Sequence, residues 1–155
     1  MRANHPLMTP AVILVGAALG TSVRAALEQL APAPHGGLPT TTLVINLVGA
    51  LILGTFLQWL ARTGEDAGTR RLLRLGLGTG VLGGFTTYST FAVETVDLVR
   101  ADALLTAGAY AVASLLLGVL GAVLGLSLGG RLPVRRTATV DPDADVDAGV
   151  DGGAA

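Results

Sequence analysis

From Gly80 to Phe91 the chain reads Gly-Val-Leu-Gly-Gly-Phe-Thr-Thr-Tyr-Ser-Thr-Phe, small residues giving way to hydroxyls. Gly76, Gly78, Gly80, Gly83 and Gly84 weaken a helix through backbone entropy. The hydroxyls of Thr86, Thr87, Ser89 and Thr90 then compete for backbone partners. This stretch lies inside an apolar segment, and at membrane depth a broken backbone is tolerated only beneath protein or beside a wet cavity. A break there exposes carbonyl oxygens, which suit a cation, and N–H groups, which suit an anion. The same composition also suits a Gly-rich helix packed closely on its neighbours. Pattern alone leaves both readings open.

The other polar candidates are scattered. Asn46 shares a helical face with Ala50 and Gly54, at spacings of four. A buried amide needs partners, and an interhelical hydrogen bond is the plainer alternative to an ion contact. Gly16, Gly20 and Arg24 form a small-residue stripe ending in a cation, which either snorkels near a helix end or acts on an ion. Tyr110, Ser114, Gly118 and Ala122 make a stripe that could line a polar track, unless Tyr110 only packs. Glu94 is a carboxylate that either is structural or faces a vestibule, Asp97 is expected to be wet, and the loop residue His35 is given no role. Nothing here makes an enzyme. There is no nucleophile–His–acid set, no metal cluster and no phosphate-binding Gly-Lys loop, and the absence of Cys excludes thiolate chemistry.

These groups must be carried by membrane helices. Of 155 residues, 51% are hydrophobic and only 14% charged, against about 25% charged in soluble domains. Mean hydropathy is +0.65. The pattern predicts an all-α integral membrane protein with four spans, at about 11–30, 40–61, 72–99 and 103–128, the third one broken. Thr9 and Pro10 are expected to open the first span, and Asp102 to cap the fourth. Trp59 suits an interfacial belt. A polar lead (1–9) thus precedes a membrane domain (10–130), and a basic juxtamembrane segment with an acidic tail (131–155) follows. The tail alternates Asp141, Asp143, Asp145, Asp147 and Asp151 with small residues and is expected to be a solvated, disordered segment. It lacks the distal Glu of a calcium loop. Four spans enclose a pathway poorly, so a dimer is expected.

Asn46-x-x-Gly49, together with Gly83-Gly84-Phe85-Thr86-Thr87-Tyr88-Ser89-Thr90-Phe91, resembles the small four-helix fluoride channels, the Fluc or CrcB family. Gly16 to Arg24 is similar to that family's first-helix motif, and Tyr110 with Ser114 to its fourth-helix pair. The resemblance covers about residues 10–130. It implies an antiparallel dimer with two fluoride pores and a central structural sodium ion. It also implies sodium ligands at the backbone carbonyls of Gly83 and Thr86. The implied fluoride pathway comprises Asn46, Tyr88, Ser89, Thr90, Phe91, Tyr110 and Ser114, with Arg24 and Glu94 as vestibule candidates. Tyr88 departs from the usual Phe of the family, which bears on whether both pores conduct alike. The chemistry is consistent. Fluoride is small and strongly hydrated, so amide and hydroxyl donors must replace its water, and aromatic edges such as that of Phe91 are electropositive.

The rival class is a small multidrug-type proton-coupled exporter, also of four helices. It needs a carboxylate in the middle of the first span, where this chain has only Glu28, at the end. Fluoride and membrane lipid are the expected partners, nucleic acid is not, and the cell membrane is the expected location. Eight arginines (Arg2, Arg62, Arg70, Arg71, Arg74, Arg131, Arg135 and Arg136) fall on one predicted side and two (Arg24, Arg100) on the other. The positive-inside rule then predicts both termini in the cytoplasm. Copies inserted one way cannot form an antiparallel pair, so a related subunit of opposite orientation is the expected partner.

Overall fold

The computed structural model describes residues 7–134. The expectations for 1–6 and for the acidic tail from Arg135 lie outside the described residues. Every regular element within them is helical: α1 (Met8–Leu30), α2 (Thr40–Arg62), α3 (Gly68–Leu73), a π-helical segment π1 (Arg74–Leu82), α4 (Gly83–Phe85), α5 (Ser89–Arg100) and α6 (Leu104–Arg131). Three of these, α1, α2 and α6, are long and apolar enough to cross a membrane, with mean hydropathies of 1.6, 2.0 and 2.3. Their leucines and valines largely face outward, as in Leu14, Val15, Leu19, Leu115 and Leu116. Among the described residues the largest side chains buried completely are Tyr110 and Thr42. Close packing of small residues therefore holds these helices together, and hydrocarbon suits their outer faces.

Two seams do most of the packing. Gly16 and Gly20 of α1 lie against π1 and α4, where an added Cβ on Gly16 would come within 3.0 Å of Gly80 Cα and one on Gly20 within 2.8 Å of Phe85 N. The second seam joins α2 to α6. There Gly121, Gly125 and Gly129 abut the backbone of Leu47, Leu51 and Thr55, and Gly54 abuts Ala122. Both pairs run parallel, since later residues of one helix meet later residues of the other. The Gly16–Gly20 stripe read from the sequence lies in the first seam. The second uses Gly121, Gly125 and Gly129, also four apart, whereas an added Cβ on Gly118 of the Tyr110 stripe would meet no described residue within 4 Å.

The glycines of the third segment do not break it. The helix continues from Gly68 to Phe85, widened to π form between Arg74 and Leu82. Gly76, Gly80 and Gly84 serve instead to bring this backbone onto Val12, Ile13, Gly16 and Ala17 of α1. The interruption comes after them, at Thr86, which is extended (φ −78°, ψ 153°).

Two expected caps are also corrected. The first helix opens at Met8 rather than after Thr9, because Ala11 N–H reaches Leu7 O at 3.2 Å and Pro10 sits in the first turn, where no N–H is needed. Asp102 does not cap α6. It has left-handed backbone (φ 57°), with its N–H on Val99 O at 3.1 Å and Ala103 N–H on Leu98 O at 2.9 Å. That bond pair ends α5 in a Schellman motif, with Asp102 in the place usually held by glycine. At the opposite end, Arg62 Nη1 donates to the carbonyls of Gly129 (3.0 Å) and Leu132 (2.8 Å), tying α2 to the last turn of α6. Nearby, Asp66 accepts two bonds from Arg74, at 3.0 and 2.6 Å, which hold its carboxyl below the usual range.

Candidate functional site

The site is built around the interruption between α4 and α5. Asn46 of α2 meets Thr87 twice: its Nδ2 donates to Thr87 O at 2.9 Å, and Thr87 N–H donates to its Oδ1 at 2.8 Å. A side-chain amide thus satisfies both polar groups of one non-helical residue. Thr87 Oγ1 in turn accepts from Thr90 N–H at 3.1 Å and covers one of the free donors at the start of α5. It also lies 3.2 Å from Thr90 Oγ1 and 3.1 Å from Ser89 Oγ.

These bonds determine which carbonyls the break releases. In an unbroken helix Thr87 N–H would bond the carbonyl of Gly83, and Thr90 N–H that of Thr86. Both donors are turned elsewhere, onto Asn46 and onto the Thr87 hydroxyl. The carbonyl of Gly84 is treated differently: it accepts from Thr21 Oγ1 at 3.3 Å and Arg24 Nε at 3.4 Å. Arg24 also reaches Thr90 Oγ1 at 3.2 Å and Glu28 at 3.1 Å, so it clips α1 to both sides of the break.

A second cluster lies further along α5. Glu94 Oε1 accepts from Thr42 Oγ1 at 2.8 Å, and its Oε2 from the Tyr110 hydroxyl at 2.6 Å. Thr42 and Tyr110 are both fully buried (0% exposed). Phe91 bridges the two clusters, with its ring 5.2 Å from Tyr110 and 5.9 Å from Tyr88, tilted by 47° and 43°. One turn beyond Tyr110, the buried Ser114 Oγ has no hydrogen-bond partner among the described residues. Glu94 also lines an open cavity of about 510 Å³, with His35, Pro39, Asp97 and Arg100 around it.

The structure therefore brings Asn46, Ser89 and Thr90 together around Thr87, and links Phe91 to Tyr88 and Tyr110. Gly83 and Thr86 stand at the break. Arg24 and Glu94 do not meet: Arg24 serves the break, and Glu94 joins α2, α5 and α6 beside the cavity. Sequence reasoning missed Thr42, Thr21 and the central place of Thr87. Thr42 lies four residues before Asn46, so the face that carries the amide already pointed to it. Thr87 was visible only as one hydroxyl in a row.

The family model described as "CrcB-like protein, Camphor Resistance (CrcB)" matches residues 11–126. The chain belongs to the CrcB family. Every residue of both clusters falls inside the stretch matched by CrcB. The chain is similar to the fluoride-specific ion channel FluC 1 of Rhodococcus jostii, 50% identical over 112 residues, covering 72% of this chain and 77% of that one. It is also similar to the fluoride-specific ion channel FluC 2 of Leifsonia xyli subsp. xyli, 48% identical over 107 residues (69% and 73%). The fluoride-specific ion channel FluC 1 of Cutibacterium acnes is 43% identical over 109 residues (70% and 76%). These CrcB relatives are named as channels, none as an enzyme.

Proposed function

We propose that this chain conducts fluoride passively out of the cell and so gives resistance to fluoride that enters as HF and is trapped as the ion at neutral pH. The observation that carries this is the overlap of two things. The region shared with relatives named as fluoride-specific channels is the region that assembles the amide, hydroxyl and aromatic groups. Those groups can replace water around a small, hard anion. Asn46 Nδ2 gives one hydrogen to Thr87 O and retains another. Ser114 Oγ is buried with its hydroxyl uncommitted, whereas the Tyr110 hydroxyl is held by Glu94. Ring edges at Phe91 and Tyr88 complete the track.

The third crossing in this reading runs from Gly68 to Arg100 through the break, giving four spans with α1, α2 and α6. The working unit is an antiparallel dimer with two pores. Support comes from the break's outer side: Tyr88 is 80% exposed, and Gly83 and Ser89 are exposed beside it, where lipid cannot satisfy open backbone. The carbonyls released at Gly83 and Thr86 fit a sodium ion, a hard cation that prefers oxygen, and would hold it with the same groups of the second subunit. A buried cation beside the pores offsets the cost of a desolvated anion. Arginine asymmetry supports cytoplasmic termini by the positive-inside rule, and with them a related subunit of opposite orientation as the partner.

The test is release from fluoride-loaded liposomes, followed with an external fluoride electrode. The chain, with its partner where one is needed, should release fluoride within seconds. No fluoride release, with proton-dependent uptake of a cationic dye instead, would establish the multidrug-type exporter.

A further inference from the structure

The outer face between α2 and α6 holds an apolar groove of about 320 Å³, lined by Leu51, Ile52, Phe56, Trp59, Leu128 and Leu132 among others. Its character changes abruptly at one end. Arg62 binds the Leu132 carbonyl there through Nη1, and its Nε and Nη2 have no partner among the described residues. Arg131, exposed and next to Leu132, makes neither a hydrogen bond nor an ion pair among them. Among the described residues at this end Arg62, Arg70, Arg71, Arg74 and Arg131 outnumber Glu65 and Asp66 by three, and Asp66 is already paired with Arg74. Trp59 is an amphipathic ring of the kind that settles at headgroup depth.

We propose that this groove seats an anionic phospholipid, with an acyl chain along Leu51 to Phe56 and the phosphate at Arg62 and Arg131. The slot is too shallow for a helix of about 10 Å diameter, because α2 and α6 already meet backbone to backbone beneath it at Gly125 and Gly129. A flexible chain fits such a slot, and a guanidinium with free Nε and Nη2 presents two parallel donors to a phosphate. The groove is lined from α2 and the end of α6, with no residue of α4 or α5, the helices that flank the break. The inference does not depend on what the protein conducts.

Trp59 is the only tryptophan and lines the groove, so it reports occupancy directly. The full chain would be reconstituted in vesicles in which phosphatidylglycerol or phosphatidylcholine, one at a time, carries brominated acyl chains. Brominated phosphatidylglycerol should quench Trp59 at lower mole fraction than brominated phosphatidylcholine, by about fivefold per arginine engaged. Arg131→Gln, which removes no hydrogen bond from the fold, should lose about fivefold of that preference, and high salt should erode the rest. Equal quenching by both lipids would overturn the proposal, leaving the groove as ordinary lipid-facing surface. Absence of quenching by either would also overturn it, because a protein segment would then cover Trp59.

Discussion

Asn46 commits its side chain to the backbone of a residue 41 positions away, and that changes what its loss should do. Asn46→Ala leaves Thr87 N–H and C=O without partners inside the protein. The expected destabilisation is about 2–4 kcal/mol, readable as a lower melting temperature in detergent, together with loss of fluoride release. Asn46→Asp is the sharper variant. Its carboxylate still accepts from Thr87 N–H but faces the Thr87 carbonyl and any passing anion. Repulsion of several kcal/mol at an effective dielectric of about 20 should cut flux at least about tenfold while thermal stability falls less than in Asn46→Ala. Unchanged flux would remove Asn46 from the pathway. Gly83 gives a complementary case. Among the described residues a Cβ there meets only Gly78 O, at 3.9 Å, so Gly83→Ala should fold normally as a subunit. If its carbonyl helps hold a sodium ion between subunits, the variant should keep its helical circular dichroism yet lose sodium-dependent stabilisation of the dimer.

At the scale of elements, the two glycine seams and the clasped break make opposite demands. The seams join backbone to backbone, so a side chain added there has nowhere to go. Gly20→Val, whose Cβ would fall on the Val81 carbonyl, should abolish folding, measured as loss of a monodisperse peak on size exclusion. Gly118→Val on α6, where no described residue stands within 4 Å, should be silent in the same assay. The seams were legible in the sequence because glycines at spacing four mark one face of any helix. So was the existence of an interruption, since hydroxyls clustered behind glycines have few other uses at that depth. Its position was legible only to within Gly80–Phe91: close approach to α1 keeps the glycines helical against their propensity, and the interruption falls among the hydroxyls from Thr86. The widening of Arg74–Leu82 to π form left no sign in composition. The cap at Asp102 was misread for a related reason: aspartate is favoured before helices, yet it also tolerates left-handed backbone, and the chain used the second property.

Over the whole molecule the described charges separate by end. The end carrying Arg62, Arg70, Arg71, Arg74 and Arg131 has a formal excess of three positives, while at the other end Glu28, Glu94, Asp97 and Asp102 outnumber Arg24 and Arg100 by two. The expected outcome in cells is a single orientation, with a reporter on the C-terminus active only on the cytoplasmic side, and weak fluoride resistance until a related subunit of opposite bias is co-expressed. Equal reporter activity on both sides, with full resistance from this chain alone, would defeat the unequal pair. The same separation makes the chain sensitive to voltage. With the lead and the acidic tail counted, the basic side nets one positive charge and the other side two negatives. Turning the chain over in a membrane held negative on its basic side therefore moves three formal charges against the field, at a cost of roughly 7 kcal/mol per 100 mV. The membrane potential that drives anions outward would then also act as a latch on the protein, and a cell that loses its potential while the chain is being inserted would lose part of what keeps it upright.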